Sequence, residues 1–381
     1  MITDVRISIS IALAGCLSAA SLRAEPAEAK AALPSDPSPP RMKADPAREA
    51  ITDPAQADGD FAVQGEYLGP ALPGAEDCEH LGLQVIALGR GRFQAVLLRG
   101  GLPGAGWDRQ TKTRLSGQWE DGIVSLAGSQ YAARVAPCEA LVRDARGSEA
   151  GRLRKIHRIS ATQDAPPPCG ALRLFDGTHT DCFEKGGMDA EGLLRVGAVT
   201  KMPVGDFRMH LEFRTPYMPL ARGQGRGNSG IYIQQRYEVQ ILDSFGLEGE
   251  DNECGGLYKQ KRPEVNMCLP PLSWQTYDIF FTSARWDANG RKIANARITV
   301  LHNGEPVHQD YPLRDKTGSG KPENPQPRPI LLQDHGNPVR FRNIWMELYP
   351  PAAREPAAWA ACPAVPAQVM PAFRCWLLRR R

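Results

Sequence analysis

Nine consecutive residues, Asp206–Arg214, alternate between apolar and polar side chains almost without interruption. Because successive side chains of a strand point to opposite faces, this pattern predicts a half-buried β-strand and argues against a helix. Other candidate strands lie at residues 82–88, 93–98, 114–119, 122–126, 132–135, 231–233, 274–281, 297–302 and 339–348. With 37 glycines and 33 prolines to supply turns, the chain is predicted to be all-β.

A second alternating stretch, Tyr237–Asp243, carries acidic and amide side chains. Glu238 and Gln240 are predicted to share one face, while the residues between them point into a core. Asp243 is out of phase, and a bulge just before it would bring it onto the face of Glu238. The spacing is similar to the acidic signature of jelly-roll β-glucanases, whose outer two positions are nucleophile and general acid. An edge strand with solvated polar residues is the alternative.

The first 24 residues have the pattern of a signal peptide. Arg6 precedes an apolar run at residues 7–15, which is too short to span a bilayer. The run ends in Leu-Ala-Gly-Cys, which resembles a lipobox, so Cys16 is a candidate for lipid attachment to a membrane. Ordinary cleavage near Ala24 is the alternative. Both readings predict export to the periplasm or the extracellular space.

Composition then divides the rest of the chain. Residues 25–59 contain too few aromatic and β-branched residues to bury a core, which predicts a disordered tether. Gly-Arg-Gly at residues 89–91 and Asn-Gly at residues 303–304 lie between short apolar runs and predict antiparallel hairpins. The predicted segments are a small antiparallel β domain at 60–158, a proline-rich linker at 159–170, a jelly roll at 171–349 and a Pro/Ala-rich tail at 350–381.

The cysteine count agrees with export, because eight of the nine cysteines could pair in disulfides after processing. Locality favours the pairs Cys78–Cys138, Cys169–Cys182, Cys254–Cys268 and Cys362–Cys375. No Cys-x-x-Cys motif is present, which gives a zinc site little support. The 46 basic and 43 acidic residues are scattered, so the sequence offers no electrostatic case for nucleic acid.

Six blocks in the second half follow the order of one known family. They are Leu174–Gly177, Gly205–Arg214, Asn228–Tyr232, Tyr237–Asp243, Asn303–Gly304 and Leu332–Ile344. Residues 171–349 thereby resemble the 3-keto-disaccharide hydrolase domain, also called the 3-keto-glucoside-1,2-lyase/hydratase domain. The resemblance implies a concanavalin A-like lectin/glucanase jelly-roll sandwich that acts on oxidised (3-keto) glycosides. Phe183 departs from the family, since a tryptophan is usual there.

The implied chemistry starts from the C3 ketone, which makes the C2 hydrogen of a glucoside acidic. A site for it needs a base, a positive group near the enolate oxygen and a proton donor for the leaving group. Glu238 is the candidate base, and His335 the candidate acid or second base. Arg214 and Lys259 are the candidate cations. The remaining candidates for substrate contact are Asn228, Tyr232, Gln240, Asp243 and Gln333.

Each of these assignments has a structural alternative. His335 lies in an Asp-His-Gly-Asn sequence typical of a tight turn. Arg214 could pair with Glu212, and Lys259 could simply be solvated. The acidic residues at 248–253 could bind a divalent cation, but their spacing matches no calcium loop.

Two other functions stay open at this stage. A lectin-like module would bind intact glycan without turnover. A retaining glycosidase would use Glu238 and Asp243 as its two carboxyl groups.

Overall fold

The computed structural model describes residues 45–72, 79–350 and 369–371. Outside these residues lie the predicted signal peptide with Cys16, residues 25–44 of the predicted tether, Cys78, Cys362 and Cys375. No helix in the described part of the chain is long and apolar enough to cross a membrane.

The protein is all-β, as predicted, and its strands pair antiparallel. One short α-helix, α1, spans Gly59–Val63, and three 3-10 helices span Pro46–Arg48, Pro54–Gln56 and Gly223–Gly225. The strands are β1 (Gly65–Pro70), β2 (His80–Ala87), β3 (Arg92–Arg99), β4 (Lys112–Glu120), β5 (Ile123–Ala127), β6 (Tyr131–Val135), β7 (Glu139–Asp144), β8 (Glu149–Arg158), β9 (Leu172–Phe175), β10 (Phe183–Lys185), β11 (Leu194–Arg195), β12 (Val199–Thr200), β13 (Asp206–Arg214), β14 (Ser229–Ile233), β15 (Tyr237–Ile241), β16 (Gln275–Thr282), β17 (Arg285–Trp286), β18 (Lys292–Ala294), β19 (Ala296–His302), β20 (Glu305–Leu313), β21 (Leu331–Leu332), β22 (Arg340–Tyr349) and β23 (Val369–Pro371).

Strands β1 to β8 form a meander in which each strand pairs with the next, and β1 also pairs with β8. We call this closed sheet the barrel; β23 adds to it beside β8. Its interior is apolar, with Tyr67, Leu83 and Phe93 among the side chains that are almost fully buried. The tight β2–β3 hairpin turns at Gly89–Gly91, where all three residues have positive φ. Glycine adopts that conformation without steric cost, so the predicted hairpin forms.

The second half contains a five-stranded sheet in the order β10-β12-β21-β14-β15 and a seven-stranded sheet in the order β11-β22-β13-β16-β19-β20, with β9 paired to β22. One apolar core joins them, to which β13 contributes Phe207 and Phe213 while β14 and β15 contribute Ile231 and Val239. We call these two packed sheets the sandwich. The prediction of β13 is confirmed residue by residue, because its odd-numbered apolar side chains all face this core.

The barrel packs directly against the sandwich. Ile86, Val96, Leu98 and Leu102 belong to the barrel segment of the chain, yet they are part of the sandwich core. Burying such side chains at a shared interface contributes about 25 cal/mol for each Å² of apolar surface removed from water.

Two segments that were predicted to connect folded parts are packed instead. Residues 45–59 of the predicted tether are ordered: Ile51 and Tyr217 exchange backbone hydrogen bonds of 3.0 and 2.8 Å. Asp45, Asp53 and Asp58 accept hydrogen bonds from backbone N–H groups at the starts of the short helices, which fixes the chain locally. The predicted linker lies against the seven-stranded sheet, where the Trp345 indole donates to the Ala165 carbonyl oxygen at 3.0 Å.

Two predicted disulfides are wrong. Cys169, Cys182, Cys254 and Cys268 are free thiols. Cys254 and Cys268 are nevertheless brought together, because their thiols form a hydrogen bond with each other. The Cys254 sulfur also lies 3.2 Å from the Tyr277 hydroxyl, and Cys268 donates to backbone carbonyl oxygens. Cys138 is disulfide-bonded.

Candidate active site

The candidate site lies on the face of the five-stranded sheet that is turned away from the sandwich core. Strands β14 and β15 pair in register, with Tyr232 opposite Glu238 and Gly230 opposite Gln240. Tyr237, Val239 and Ile241 are buried in the core. The predicted alternation is therefore confirmed for β15, and Glu238 and Gln240 project together from the other face.

Glu238 is enclosed by small and aromatic residues rather than by cations. Its residue is only 2% exposed. The Tyr232 phenol donates a hydrogen bond to its carboxylate. The carboxylate lies over Gly230, where an added Cβ would come within 2.4 Å of Glu238 Oε1. A residue larger than glycine at position 230 would therefore displace the Glu238 carboxylate.

The segment at residues 315–320 covers Glu238. The Glu238 backbone N–H donates to Thr317 Oγ1 at 2.6 Å, and the Tyr258 N–H donates to the Glu238 carbonyl oxygen at 3.2 Å. A Cβ built on Gly318 would lie 3.7 Å from Glu238 Oε2 and 2.9 Å from the Tyr258 ring. Hydrogen bonds with Thr317 and Tyr258 therefore fix the Glu238 backbone.

This environment changes the acidity of Glu238. Burial raises its pKa from 4.5 to about 7, although the Tyr232 hydrogen bond acts in the opposite direction. Burial also raises the pKa of the Tyr232 phenol, as does the neighbouring Glu238 charge, so the phenol stays protonated as a donor. A carboxylate with a pKa near 7 can both accept and return a proton at neutral pH.

Amide side chains lie next to Glu238 along the same face. Gln240 Nε2 donates to Gln224 Oε1 at 3.0 Å, and Asn228 Nδ2 donates to the Gln224 carbonyl oxygen at 2.7 Å. Two buried acceptors, Asn228 Oδ1 and Gln333 Oε1, have no hydrogen-bond partner within the protein. Buried polar atoms without partners are rare, so both are candidates to accept hydrogen bonds from substrate hydroxyl groups.

The alternation along β15 shifts by one residue before Asp243, because Ile241 and Leu242 are both buried in the core. Strand β15 ends at Ile241, and its pairing with β14 runs without a shift of register. Asp243 lies beyond the end of the strand, where its carboxylate accepts from Arg226 Nε at 2.6 Å. Both side chains are buried. The same guanidinium donates to the Ala87 carbonyl oxygen of the barrel at 3.3 Å, so Asp243 helps to fix the barrel to the sandwich.

His335 lies in an exposed turn at one end of β21. The loop is attached to the site by its ends: the Gln333 N–H donates to the Gly230 carbonyl oxygen at 2.8 Å, and Asn337 Oδ1 accepts from the Asn228 N–H at 2.8 Å. This places the loop that carries His335 next to the start of β14. Its roles as acid or as a turn residue both stay predictions.

Lys259 is exposed, has positive φ, and lies 4.0 Å from an Asp251 carboxylate oxygen. Its neighbour Tyr258 contacts Glu238, so Lys259 is close to the site in sequence while its own ammonium pairs elsewhere. The structure gives Lys259 a solvated ion pair, which agrees with the structural alternative.

Arg214 is not brought together with Glu238. It ends β13 in the seven-stranded sheet, and its neighbour Phe213 faces the shared core, so Arg214 points away from the five-stranded sheet. Its guanidinium pairs with Glu191 at 3.2 Å and lies 5.1 Å from the centre of the Trp274 ring. The predicted alternative partner, Glu212, binds Arg342 instead.

Within residues 45–72 and 79–350, no three His, Cys, Asp or Glu side chains are arranged to hold a metal ion. In the acidic loop, Glu248 pairs with Lys112 and Arg114, and Glu250 pairs with Arg262. Phe183 is buried in the core and offers no ring to a sugar.

Several residues of the site were not predicted. Gln224, Tyr258 and Thr317 come from three separate connections, and only the fold brings them to β15. The sequence contains one local indication of the site, namely the glycines at positions 230 and 318. A side chain at either position would contact the Glu238 carboxylate.

The second half of the chain matches the model of a known protein family. The model of the 3-keto-alpha-glucoside-1,2-lyase-like domain matches residues 170–347. Residues 170–347 belong to this family. Membership supports a carbohydrate-active enzyme, and the family was predicted from the six sequence blocks.

Two solved structures from Parabacteroides distasonis ATCC 8503 are similar to parts of the chain, and both are named "putative glycosyl hydrolase". The first is 30% identical over 47% of this chain and 84% of its own, with a TM-score of 0.43. The second is 18% identical over 51% of this chain and 100% of its own, with a TM-score of 0.36. No curated protein matches this chain.

Proposed function

We propose that the protein cleaves 3-keto-glycosides by elimination, with Glu238 as the base. The observation that carries the proposal is the buried Glu238 carboxylate, whose pKa of about 7 suits proton transfer at neutral pH. Family membership supplies the substrate class.

The reaction balances with the residues at hand. Glu238 takes the C2 proton, and the electron pair of the C–H bond forms an enolate between C2 and the C3 ketone. The enolate then expels the C1 oxygen, which leaves as an alcohol after gaining a proton, and a C1=C2 double bond remains. Water can add at C1 while a proton returns to C2, which gives net hydrolysis.

Other side chains position the substrate in this proposal. Tyr232 holds the Glu238 carboxylate through its phenol. Asn228 Oδ1 and Gln333 Oε1 would accept from sugar hydroxyl groups, because each is buried without a partner inside the protein. His335 would donate the proton to the leaving group from its loop beside β14.

The fold and location complete the proposal. We infer that the sandwich is a concanavalin A-like jelly roll, that the barrel is a small domain preceding it, and that the protein is exported by its N-terminal signal. Two packed antiparallel sheets with one polar outer face support the first inference. The disulfide-bonded Cys138 supports the last, since disulfides persist in oxidising compartments.

The test compares a 3-keto-glucoside with its parent glucoside, using the purified full chain. Cleavage of the ketone alone is expected, because only the ketone makes the C2 proton acidic. Efficient cleavage of the parent would instead indicate a retaining glycosidase, although the ion pair of Asp243 with Arg226 leaves that carboxylate poorly placed as a nucleophile or acid. Tight binding of unoxidised oligosaccharide without any turnover would favour a lectin.

A further inference from the structure

A cleft lies between the barrel and the sandwich, apart from the candidate active site. Its volume is about 430 Å³, within the range of about 300–1,000 Å³ that small-molecule sites occupy. One side is formed by residues 107–114 of the barrel, before and within β4, and the other by residues 248–266 of the sandwich. The sandwich loop also supplies Tyr258 to the candidate active site, so one loop borders both places.

The lining of the cleft is basic. Four cationic side chains, Arg109, Lys112, Arg114 and Arg262, face two carboxylates. Glu248 is shared between Lys112 and Arg114. Glu264, the second carboxylate, pairs with Lys261 at 2.7 Å. An incoming anion would therefore meet few unpaired negative charges.

The arginines of the cleft are held weakly. Arg109, Arg114 and Arg262 each have more than half of their side-chain surface exposed. Exposed ion pairs are worth only about 0–1 kcal/mol. Arg109 and Arg114 can therefore exchange their present partners for a ligand at little cost. Arg262 is fixed more firmly, because its guanidinium also donates to the Gly249 and Glu248 carbonyl oxygens at 3.1 Å.

An aromatic ring completes the lining. Trp107 is half-buried and borders the cleft, and its indole Nε1 donates to the Thr111 carbonyl oxygen at 3.0 Å. The Lys112 ammonium lies 5.0 Å from the ring centre. A ring that is fixed by a hydrogen bond in a basic cleft can contact the apolar side of a sugar ring while the cations of the cleft bind its acidic groups.

From these observations we propose that the cleft binds an anionic saccharide, a sugar chain that carries carboxylate or sulfate groups. Guanidinium groups bind carboxylate and sulfate through paired hydrogen bonds, and Trp107 favours a saccharide over a simple ion. The site is separate from Glu238 and does not depend on the proposed reaction.

Isothermal titration of the full chain with three matched probes tests the proposal: an oligogalacturonate, a sulfated oligogalactoside and the neutral oligogalactoside of the same length. We expect binding of at least one anionic probe, no measurable binding of the neutral one, and weaker binding as NaCl rises from about 0.05 M to about 0.5 M. The anionic probe that binds more tightly identifies the acidic group.

Variants locate the binding in the cleft. The double variant Arg109→Gln with Arg114→Gln should weaken the anionic probe at least tenfold. The control Arg134→Gln with Arg146→Gln removes the same charge from exposed barrel positions outside the cleft and should leave binding unchanged. The proposal is overturned if neither anionic probe binds, if the neutral probe binds equally well, or if both double variants bind like the parent protein. Circular dichroism of each variant confirms that the fold is intact.

Discussion

Two glutamates of the sandwich, Glu238 and Glu212, have the same kind of position and opposite acidity. Each lies inside a strand, on the face turned away from the common core, and each is almost completely buried. Burial alone would raise both pKa values. It does so for Glu238, whereas the pKa of Glu212 is lowered below its usual value.

The partners explain the difference. Around Glu212, the His210 ring at 3.6 Å, a hydrogen bond from Asn343 and the charge of Arg342 together outweigh burial and lower its pKa. The Arg342 guanidinium donates to Glu212 at 2.8 Å. His210 also donates toward Asp278 at 3.0 Å and is held above its usual pKa by these two acids, in spite of its burial. Glu238 has a phenol and backbone atoms around it instead of cations.

The comparison separates a carboxylate that holds the fold from one that is available for chemistry. A buried charge with matched partners resists a change of protonation, so Glu212 attaches the linker and the sheet to each other. A buried carboxyl group without cations changes protonation near neutral pH, which a base requires.

The largest effect is expected on turnover. Glu238→Gln should lower kcat for a 3-keto-glucoside by about 10²- to 10⁴-fold, because a neutral amide cannot accept the C2 proton. Glu212→Gln should keep the turnover of each folded molecule. Steady-state kinetics at matched folded concentrations measure both. Equal losses in the two variants would contradict the division.

The next effect concerns stability and should run the other way. Glu212→Gln removes one partner from a buried cluster and leaves Arg342 and His210 incompletely paired. Such changes typically cost about 3–5 kcal/mol of unfolding free energy. Urea denaturation should show this loss for Glu212→Gln and no loss for Glu238→Gln. A stable Glu212→Gln protein would mean that the cluster is not structural.

The pH dependence of stability should distinguish the two residues again. The folded state raises the pKa of Glu238 from 4.5 to about 7, so the protonated form is favoured by folding. This contribution is present below pH 4.5 and is lost as pH rises to about 7, up to about 3 kcal/mol. The unfolding free energy of Glu238→Gln relative to the wild type should therefore increase over that interval.

For Glu212 the sign is reversed. Its lowered pKa gives a contribution that is present above its unfolded pKa and is lost as pH falls. Denaturation curves of both variants from acid to neutral pH test the pair. Parallel pH profiles for the two variants would contradict their opposite pKa shifts.

The smallest effect is expected at Asp243. Asp243→Asn weakens a charged hydrogen bond to Arg226 and should cost about 2 kcal/mol of stability. Its effect on kcat should be far smaller than that of Glu238→Gln, because the Asp243 carboxylate already accepts from the Arg226 guanidinium. A loss of activity as large as that of Glu238→Gln would restore Asp243 as a catalytic carboxylate.

The sequence predicted those features that are encoded by neighbouring residues. The alternation at Asp206–Arg214 matches β13 in every residue, and the Asn303–Gly304 turn has the positive φ values of the predicted hairpin. These patterns need no distant partner, because side-chain direction in a strand and turn conformation are local properties.

Features that depend on distant contacts were missed. The Asp243 carboxylate pairs with Arg226 from another connection, a contact that the sequence pattern did not indicate. The predicted linker is fixed by Trp345, 180 residues away along the chain. Arg214 and Glu238 both look like polar residues of alternating strands, and only the order of strands shows that they lie on different sheets.

One measurement tests the central assignment of Glu238 most directly. The full chain is incubated with a 3-keto-glucoside in D2O, and the 3-keto-glucose product is analysed for deuterium at C2 by NMR. Elimination followed by rehydration predicts deuterium at C2 with wild-type protein, and neither product nor exchange with Glu238→Gln. Product that carries no deuterium at C2, or full exchange by Glu238→Gln, would contradict the assignment of Glu238 as the base.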